Sequence, residues 1–306
     1  MTDAAKPKSR ASRDLTEGPV AGHLRRILLP MIVGVTAVMS VSVVDTYFVG
    51  QLGALQLAAI SFCFPVVITV TSIAIGLGAA GWAVAVHHRD SGANAAETVA
   101  RIEAGGGTAV ALAADLSDEG ETLALAHTAA EVLGPLGCLV NNASLFEYDN
   151  AESATRDSWD AHMSVNLRAP FLLTQAFASS LPSGAAGAVI NILDQRVWNL
   201  TSHFLSYTLS KSGLWTLTQS LALGLAPHIR VNAIGPGPVL PSARQTLEQF
   251  RVQAENTPLG HGAKPEEISD AVRFILAAPA MTGQMMALDG GQHLGWSMPS
   301  DRKVEE

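Results

Sequence analysis

Residues 188–233 read AVINILDQRVWNLTSHFLSYTLSKSGLWTLTQSLALGLAPHIRVNA, and this stretch decides the fold. The apolar run Ala188–Ile192 predicts a buried strand, Leu205–Leu225 predicts a long helix, and Ile229–Ala233 predicts a second strand. Parallel strands need a crossover connection of this length, usually a helix. The segment therefore indicates an α/β fold.

The same alternation continues on both sides of this stretch. Such alternation predicts a doubly wound, Rossmann-like parallel sheet with helices on both faces, whose ligands bind at the carboxyl ends of the strands. The other predicted strands are Trp82–His87, Thr108–Ala113, Gly137–Val140 and Met285–Leu288, and the other predicted helices are Ala93–Glu103, Asp118–Leu133, Ser158–Ser180 and Glu266–Ala277.

Charge divides the 306-residue chain near residue 80. The whole chain has 19 Lys and Arg against 27 Asp and Glu, a net charge of −8. Residues 1–80 hold six of these cations and four of the anions, which leaves 13 − 23 = −10 for the remainder. This acidic remainder excludes nucleic acid as a partner, because phosphate binding needs a basic face. With only Cys63 and Cys138, the chain is not a disulfide scaffold.

The N-terminal part is almost uncharged. From Ile27 to Val86 the only charged side chain is Asp45. The 18-residue run Ile27–Val44 and the later segment Leu57–Gly76 are each about long enough to cross a bilayer as a helix. Arg25 and Arg26 precede the first run, which predicts a cytoplasmic N-terminus. Two other interpretations stay open, a secretory signal and buried helices of a soluble protein.

Two phrases in this part carry a family resemblance. LTEGPVAGHLRRILLPMIVG at 15–34 and VDTYFVGQLGALQLAAISFCFP at 44–65 resemble the start of a multidrug and toxin extrusion (MATE) transporter. Such transporters are bundles of about twelve spans around a central site, and two spans cannot build one. We therefore predict a MATE-like fragment over 1–80 and a separate α/β domain over 81–306.

Tyr207 and Lys211 are the first candidate catalytic pair. They are four residues apart on one predicted helix, so both side chains lie on the same face. A tyrosine, with a pKa near 10, is a poor acid at neutral pH, but a nearby ammonium favours its phenolate form. Such a pair can transfer a proton at a carbonyl or an imine. A solvated helix face is the alternative interpretation.

Together with several surrounding motifs, this pair resembles a known family. Asp194 follows a predicted strand, Asn141-Asn142-Ala143 closes another, and Asp289-Gly290-Gly291 follows the last one. Over about 81–296 this constellation resembles the short-chain dehydrogenase/reductase (SDR) family. The resemblance implies catalytic roles for Tyr207, Lys211 and Asn166. It implies that the cofactor is bound by Asn141, Ala143, Asp115, Leu116, Lys211, Pro236, Gly237 and Val239.

One departure from the family pattern points to a branch. The family has Ser 13 residues before the Tyr, whereas this chain has Asp194, which resembles the pteridine reductases. A carboxyl group there can relay a proton to a ring nitrogen, so Asp194 joins the predicted catalytic residues and a pterin becomes the predicted small-molecule substrate. The alternative is that Asp194 only caps the strand end.

The end of the first predicted strand indicates the cofactor. Arg89 and Ser91 could hold a 2′-phosphate and so select NADPH, whereas an acidic residue directly at the strand end would suit NADH. Asp90 weakens this preference, and a solvated Arg89 is the alternative.

The first unit of the SDR fold is missing from the sequence. That fold begins with a strand, a Thr-Gly-x-x-x-Gly-x-Gly turn and a helix, whose N-terminus binds the pyrophosphate. The match Gly76-Leu-Gly78-Ala-Ala-Gly81 stands between a helix and a strand, which is the wrong order for a phosphate loop. We therefore predict an incomplete sheet, in which the central strand is absent.

Two functional hypotheses follow. The first is an NADPH-dependent oxidoreductase that reduces a C=N or C=O group by hydride transfer. The second is an inactive chimera of a transporter fragment and a truncated enzyme domain. We further predict no metal site, a homo-oligomer formed through Ser158–Ser180 and Leu205–Leu225, and a catalytic domain in the cytoplasm, either free or anchored to a bacterial inner membrane through residues 27–80.

Overall fold

The computed structural model describes residues 68–242 and 244–295. The described residues all belong to one compact unit. Helices and strands alternate along the chain. The elements are helix α1 (68–79), β1 (Ala83–His88), α2 (Gly92–Ala104), β2 (Thr108–Ala113), α3 (Glu119–Leu133), β3 (Cys138–Asn141), α4 (Arg156–Met163), α5 (Ala169–Ser180), β4 (Gly187–Ile192), α6 (Leu205–Gly224), β5 (Ile229–Pro236), α7 (Leu247–Glu255), α8 (Pro265–Ala277) and β6 (Met285–Leu288).

The strands form two parallel sheets. One sheet pairs β1 with β2, and the other has the order β3-β4-β5-β6. Every pairing is parallel, which confirms the Rossmann-like α/β class. Among the described residues no strand joins β1 to β3, and this is the position that the missing first strand of the family fold would take.

Helix α1 connects the cores of the two sheets. Its Ile73 and Leu77 pack into one apolar cluster with Ile190 of β4, whereas Ala74 belongs to a second cluster with Val86 of β1. Burial of apolar side chains on two sides of one helix stabilises both contacts at once. The two sheets are thus held together by side chains where backbone hydrogen bonds are missing.

The predicted membrane spans fall largely outside the described residues. The span Ile27–Val44 lies entirely outside them, and the span Leu57–Gly76 is described only from residue 68. In the part of the chain that is described, no helix combines the length and the apolar character that crossing a bilayer requires. The described part of the second span packs inside the α/β domain.

Two helix predictions need correction. The predicted helix Ser158–Ser180 is interrupted at Ser164–Arg168 by a π-helical turn between α4 and α5. Helix α7 was not predicted, because it is short and mostly polar and none of its residues is buried. Its signal is the capping box formed by Thr246 and Gln249, which is readable from sequence as Thr-x-x-Gln.

Candidate active site

Helix α6 carries the two central polar side chains of the site. Tyr207 and Lys211 are both buried, with 7% and 2% of their surface exposed. The Tyr207 hydroxyl donates a hydrogen bond to Oδ2 of Asp194 at 2.9 Å. Asp194 follows β4 and its Oδ1 accepts the backbone N–H of Arg196 at 2.8 Å. The structure therefore brings Tyr207 and Asp194 into direct contact across two elements.

Lys211 lies beneath this pair. Its Nζ donates to the backbone oxygen of Ile192 at 2.8 Å and stands 5.8 Å from the centroid of the Tyr207 ring. Burial lowers the pKa of Lys211 to about 8, and the negative charge of Asp194 acts in the opposite direction. A cation held at this depth can stabilise negative charge on the tyrosine oxygen.

Asn166 ties together the segments around Tyr207. It is fully buried in the π-helical turn, and such turns are frequent at functional sites. Its Oδ1 accepts the N–H of Leu145 at 2.7 Å, while its Nδ2 donates to the oxygen of Leu145 at 2.8 Å and to Oγ of Ser210 at 3.0 Å. Asn166 thus links the loop after β3 to α6.

A group of aromatic and basic residues next to Tyr207 was missed by the sequence analysis. The ring of Phe146 stacks on Phe204 at 4.3 Å between centroids and meets the Tyr207 ring edge-on at 4.6 Å. The guanidinium carbon of Arg244 lies 5.2 Å from both the Phe146 and the Phe204 centroid, which places it beside the stacked pair rather than above one ring. These contacts join residues 40 to 98 positions apart, so no local sequence pattern predicts them.

The end of β3 contributes a polar group to the site. Asn141 donates from Nδ2 to Oδ1 of Asn191 at 2.8 Å. Its own Oδ1 is buried and has no hydrogen-bond partner among the described residues. Ala143 packs beside Leu116, which follows β2. A buried acceptor without a partner is costly, so a ligand donor at this place would stabilise it.

The carboxyl end of β2 presents Asp115. Its Oδ1 accepts hydrogen bonds from the backbone N–H and the hydroxyl of Ser117, and these bonds hold the pKa of Asp115 below its usual value. Leu116 next to it is buried. This end of the sheet therefore offers a fixed anionic acceptor beside an apolar surface.

Arg89 and Ser91 stand at the end of β1. Arg89 donates from Nε to Oδ2 of Asp90 at 2.7 Å, and both side chains are largely exposed. Ser91 is the N-cap residue of α2, but its side chain makes no capping hydrogen bond. Its hydroxyl lies at a helix N-terminus, where anions are favoured.

Pro236, Gly237 and Val239 follow β5. The N–H of Gly237 donates to the oxygen of Leu288 at 3.0 Å, so this segment continues beside β6. A Cβ at Gly237 would stand 2.7 Å from the Cα of Asp289, which leaves room only for glycine. Val239 packs against the apolar cluster of the four-stranded sheet.

The glycines at 76–81 serve helix packing. A Cβ at Gly76 would overlap Oγ of Ser269 in α8, and one at Gly78 would lie 2.6 Å from Cγ2 of Ile102 in α2. Gly81 has a φ of +88°, as is common for the glycine that follows a helix. In the described residues these glycines therefore let α1 approach its neighbours and end.

Acidic and ligating side chains are dispersed. Across residues 68–242 and 244–295, no group of three or more His, Cys, Asp or Glu side chains is arranged to hold a metal ion.

Comparison with known proteins gives matches to both parts of the chain. A family model described as enoyl-(acyl carrier protein) reductase, an SDR family, matches residues 71–293, and the MatE family model matches residues 30–100. An uncharacterized oxidoreductase of Methylorubrum extorquens is 32% identical over 241 residues, which is 74% of this chain and 96% of that protein.

Solved structures resemble the described fold. The FolM alternative dihydrofolate reductase 1 of Brucella suis, in complex with NADP, is 44% identical with a TM-score of 0.72 and covers 74% of this chain and 92% of its own. A blue fluorescent protein from a metagenomic library, in complex with NADPH, is 30% identical with a TM-score of 0.68 and covers 72% and 92%.

Proposed function

The chain belongs to the short-chain dehydrogenase/reductase family of oxidoreductases, and from this premise we propose that it is an NADPH-dependent reductase of a C=N group in a pterin-like ring. The observation that carries the proposal is the 2.9 Å hydrogen bond between Tyr207 and Asp194, with the Lys211 ammonium buried beneath it. The similar Brucella suis protein, a dihydrofolate reductase by name, supports the substrate class.

The described residues fit a nicotinamide dinucleotide along the carboxyl ends of the strands. Asn141 offers a buried acceptor that has no partner among the described residues, and the lack of a side chain at Gly237 lets the segment after β5 lie directly against Asp289. Arg89 and Ser91 would hold the 2′-phosphate, and Asp115 with Leu116 would line the adenine. The nicotinamide and its ribose would be lined by Lys211, Asn141, Ala143, Pro236, Gly237 and Val239. When bound, NADPH would supply the hydride.

The proton would come from Tyr207. In the structure its hydroxyl donates to Asp194, so a substrate would have to take over this hydrogen bond. The substrate nitrogen would then accept the tyrosine proton, while the carboxylate of Asp194 would accept a hydrogen bond from a neighbouring N–H of the ring. Lys211 would stabilise the phenolate that forms. A C=N ring that presents an N–H beside the reacting nitrogen meets both groups, whereas a simple ketone meets only Tyr207.

The first test compares two tyrosines. Tyr207→Phe should lower NADPH oxidation with a dihydropterin at least about 100-fold, because positioned proton transfer contributes roughly 10²–10⁴-fold to rate. Tyr148→Phe is the matched control, since Tyr148 is about half exposed and bonds His203. Reduction that persists in Tyr207→Phe would refute the catalytic assignment.

The second test concerns the substrate class. Asp194→Ser installs the residue that the family usually has at this position. We expect it to lower kcat/KM for a dihydropterin about tenfold or more, while reduction of a simple ketone is unchanged or rises. Equal losses on both substrates would contradict a selective role for Asp194.

A second candidate is an inactive chimera. It is favoured by one observation: the sequence before β1 lacks the Thr-Gly-x-x-x-Gly-x-Gly turn that cradles the pyrophosphate in this fold. This candidate predicts no saturable NADPH binding in a fluorescence titration of the full chain. A dissociation constant on the order of micromolar would exclude it.

We also propose how the chain is organised and where it acts. Residues 1–80 would be a MATE-like fragment joined to the enzyme domain at 81–306, supported by the MatE match at 30–100. Residues 68–79 pack against α8, so the end of this fragment would belong to the fold of the enzyme domain. The enzyme would act in the cytoplasm, and fractionation of cells with antibody detection would decide between a free and a membrane-bound form.

We further propose a homo-oligomer formed through α4, α5 and α6. A groove between these helices is lined by Leu167, Phe171, Gly213 and Leu217, and Trp159 on α4 is partly exposed. Light scattering coupled to gel filtration should give a mass at least twice 32.0 kDa. A monomeric mass would overturn this proposal.

A further inference from the structure

Asp149 is a buried carboxylate outside the sites assigned so far. It lies in the loop between β3 and α4, and only 2% of its surface is exposed. Its Oδ1 accepts the backbone N–H of Ser206 at 3.0 Å, and its Oδ2 accepts the hydroxyl of Ser158 at 2.6 Å. Its backbone oxygen accepts the N–H groups of Phe204 and Leu205 at 2.8 and 3.3 Å.

These contacts provide hydrogen-bond acceptors for the backbone N–H groups at the N-terminus of α6. The first N–H groups of a helix have no partner within the helix and are usually satisfied by the side chain of the N-cap residue. Here the N-cap residue is Phe204, whose side chain cannot accept a hydrogen bond. Asp149 therefore supplies the cap from a position 55 residues earlier in the chain, and it satisfies three successive N–H groups.

Phe204 has a strained backbone conformation in this arrangement. It is the only residue other than glycine with a positive φ among those described, at 58°, and it is buried. A left-handed conformation is unfavourable for a bulky side chain and persists only when its surroundings enforce it. The hydrogen bond from Phe204 N to Asp149 O and the stacking of Phe204 on Phe146 provide that enforcement.

The charge of Asp149 matches its place. A negative group at a helix N-terminus interacts favourably with the helix dipole. Burial opposes ionisation of Asp149, but hydrogen bonds from Ser158 and Ser206 outweigh it and hold the pKa of the carboxyl below its usual value. The carboxylate is thus fully available as an acceptor.

The loop that Asp149 anchors also touches the reactive tyrosine. Asn166 holds this loop at Leu145, Asp149 holds it four residues later, and between them Phe146 packs edge-on against Tyr207. Tyr207 is the third residue of α6, directly after the capped N–H of Ser206. A substitution of Asp149 would therefore affect Tyr207 in two ways. It would loosen the first turn of α6, which contains Tyr207, and it would loosen the loop whose Phe146 packs against the Tyr207 ring.

We propose that Asp149 is a positioning residue that fixes the first turn of α6, and with it the hydroxyl of Tyr207 against Asp194. The effect on turnover rests on the proposed reductase function, whereas the effect on the helix does not.

The test uses the full chain with three substitutions. Asp149→Ala removes the side-chain cap, whereas Asp149→Asn keeps an oxygen that can accept from Ser206. Asp118→Ala is the matched control, because Asp118 caps α3 by accepting the N–H of Glu121 and α3 carries no site residue. Hydrogen exchange of peptides covering 204–210 and 119–125, NADPH affinity by fluorescence, and kcat are measured for each variant.

We expect Asp149→Ala to accelerate exchange in 204–210 at least tenfold and to lower kcat at least tenfold, while the dissociation constant for NADPH changes less than threefold. Asp149→Asn should recover most of kcat. Asp118→Ala should accelerate exchange only in 119–125 and leave kcat within twofold. A merely structural role would not separate kcat from NADPH affinity in this way.

The outcomes separate the two proposals. If the unmodified chain reduces no pterin, the proposed function fails, and exchange in 204–210 alone decides whether Asp149 orders this turn. If exchange accelerates but kcat is unchanged in an active enzyme, the positioning role is overturned while the reductase function stands. Unchanged exchange in Asp149→Ala would overturn the inference in either case.

Discussion

The two sheets of this protein differ in how deeply they are buried. In the four-stranded sheet, all six residues of β4 are buried, and Val189 and Ile190 expose no surface. In the two-stranded sheet only Val86 is buried, and the first residues of β1 and β2 are exposed. Tyr207, Lys211 and Asp194 adjoin the four-stranded sheet, whereas Arg89 and Asp115 adjoin the two-stranded sheet.

This difference has a physical consequence for the site. A strand at the centre of a sheet is covered by neighbours and helices, so nearby polar groups are desolvated and fixed. The buried Lys211 shows this with its lowered pKa, whereas the ion pair of Arg89 with Asp90 is open to solvent. The proposed catalytic groups therefore lie beside a fully buried strand, whereas the predicted phosphate-binding groups lie beside strands that are partly exposed.

The largest expected effect tests the core itself. Ile190→Ala in β4 should lower the free energy of unfolding by about 4 kcal/mol, and Ile102→Ala beside the two-stranded sheet by about 2 kcal/mol, because partly exposed neighbours let the second cavity collapse. Both isoleucines are buried in the native protein. Urea unfolding measures both changes, and equal losses would remove the contrast between the sheets.

Helix α1 offers the next test, because it connects the two cores. Gly78→Ala should lower the free energy of unfolding by about 3 kcal/mol, since the new Cβ would stand 2.6 Å from Cγ2 of Ile102. Gly224→Ala is the control, because a Cβ there would have no atom within 4 Å beyond its chain neighbours and its own helix backbone, and α6 should gain up to about 1 kcal/mol of stability. Similar melting temperatures for both variants would mean that α1 does not pack as described.

The pH dependence of stability isolates Lys211. Burial lowers its pKa to about 8, so between pH 8 and 10.5 the unfolded chain binds more protons than the folded one, and stability rises with pH. Relative to Lys211→Met, the native protein should gain about 2 kcal/mol between pH 7 and 9.5. Below pH 7 the stability difference between the two proteins should no longer change with pH, because the lysine is protonated in both the folded and the unfolded state. Urea unfolding at each pH measures the free energy of unfolding of both proteins. If their stabilities change with pH in parallel from pH 7 to 9.5, Lys211 is not desolvated.

The smallest effect is expected at the two-stranded sheet. Arg89→Ala should weaken NADPH binding about tenfold and leave NADH binding unchanged, because only NADPH carries the 2′-phosphate. Asp90→Ala should tighten NADPH binding about threefold, since it removes a carboxylate that competes with the phosphate for Arg89. Fluorescence titration with both cofactors measures these changes. If Arg89→Ala weakened NADH binding as much as NADPH binding, Arg89 would not bind the 2′-phosphate.

Much of the fold was predictable because hydrophobic period and strand–helix alternation are local signals. The predicted strand Thr108–Ala113 has the same bounds in the structure, and the prediction for the first strand differs by one residue at each end. Helix α7 escaped prediction because it is only nine residues long, is mostly polar and buries none of its residues. The π-helical turn at Asn166 escaped it because one added residue in a turn depends on the tertiary contacts of that side chain.

Sequence spacing alone placed Tyr207 and Lys211 on one helical face, since that follows from 3.6 residues per turn. It also placed Asp194 and Asn141 at strand ends, which parallel topology gathers at one edge. Only the tertiary structure decided that Tyr207 bonds Asp194, that Asp149 caps α6, and that α1 joins two separate sheets. Those contacts join positions from 13 to more than 100 residues apart, and they depend on packing and burial, which no local period encodes.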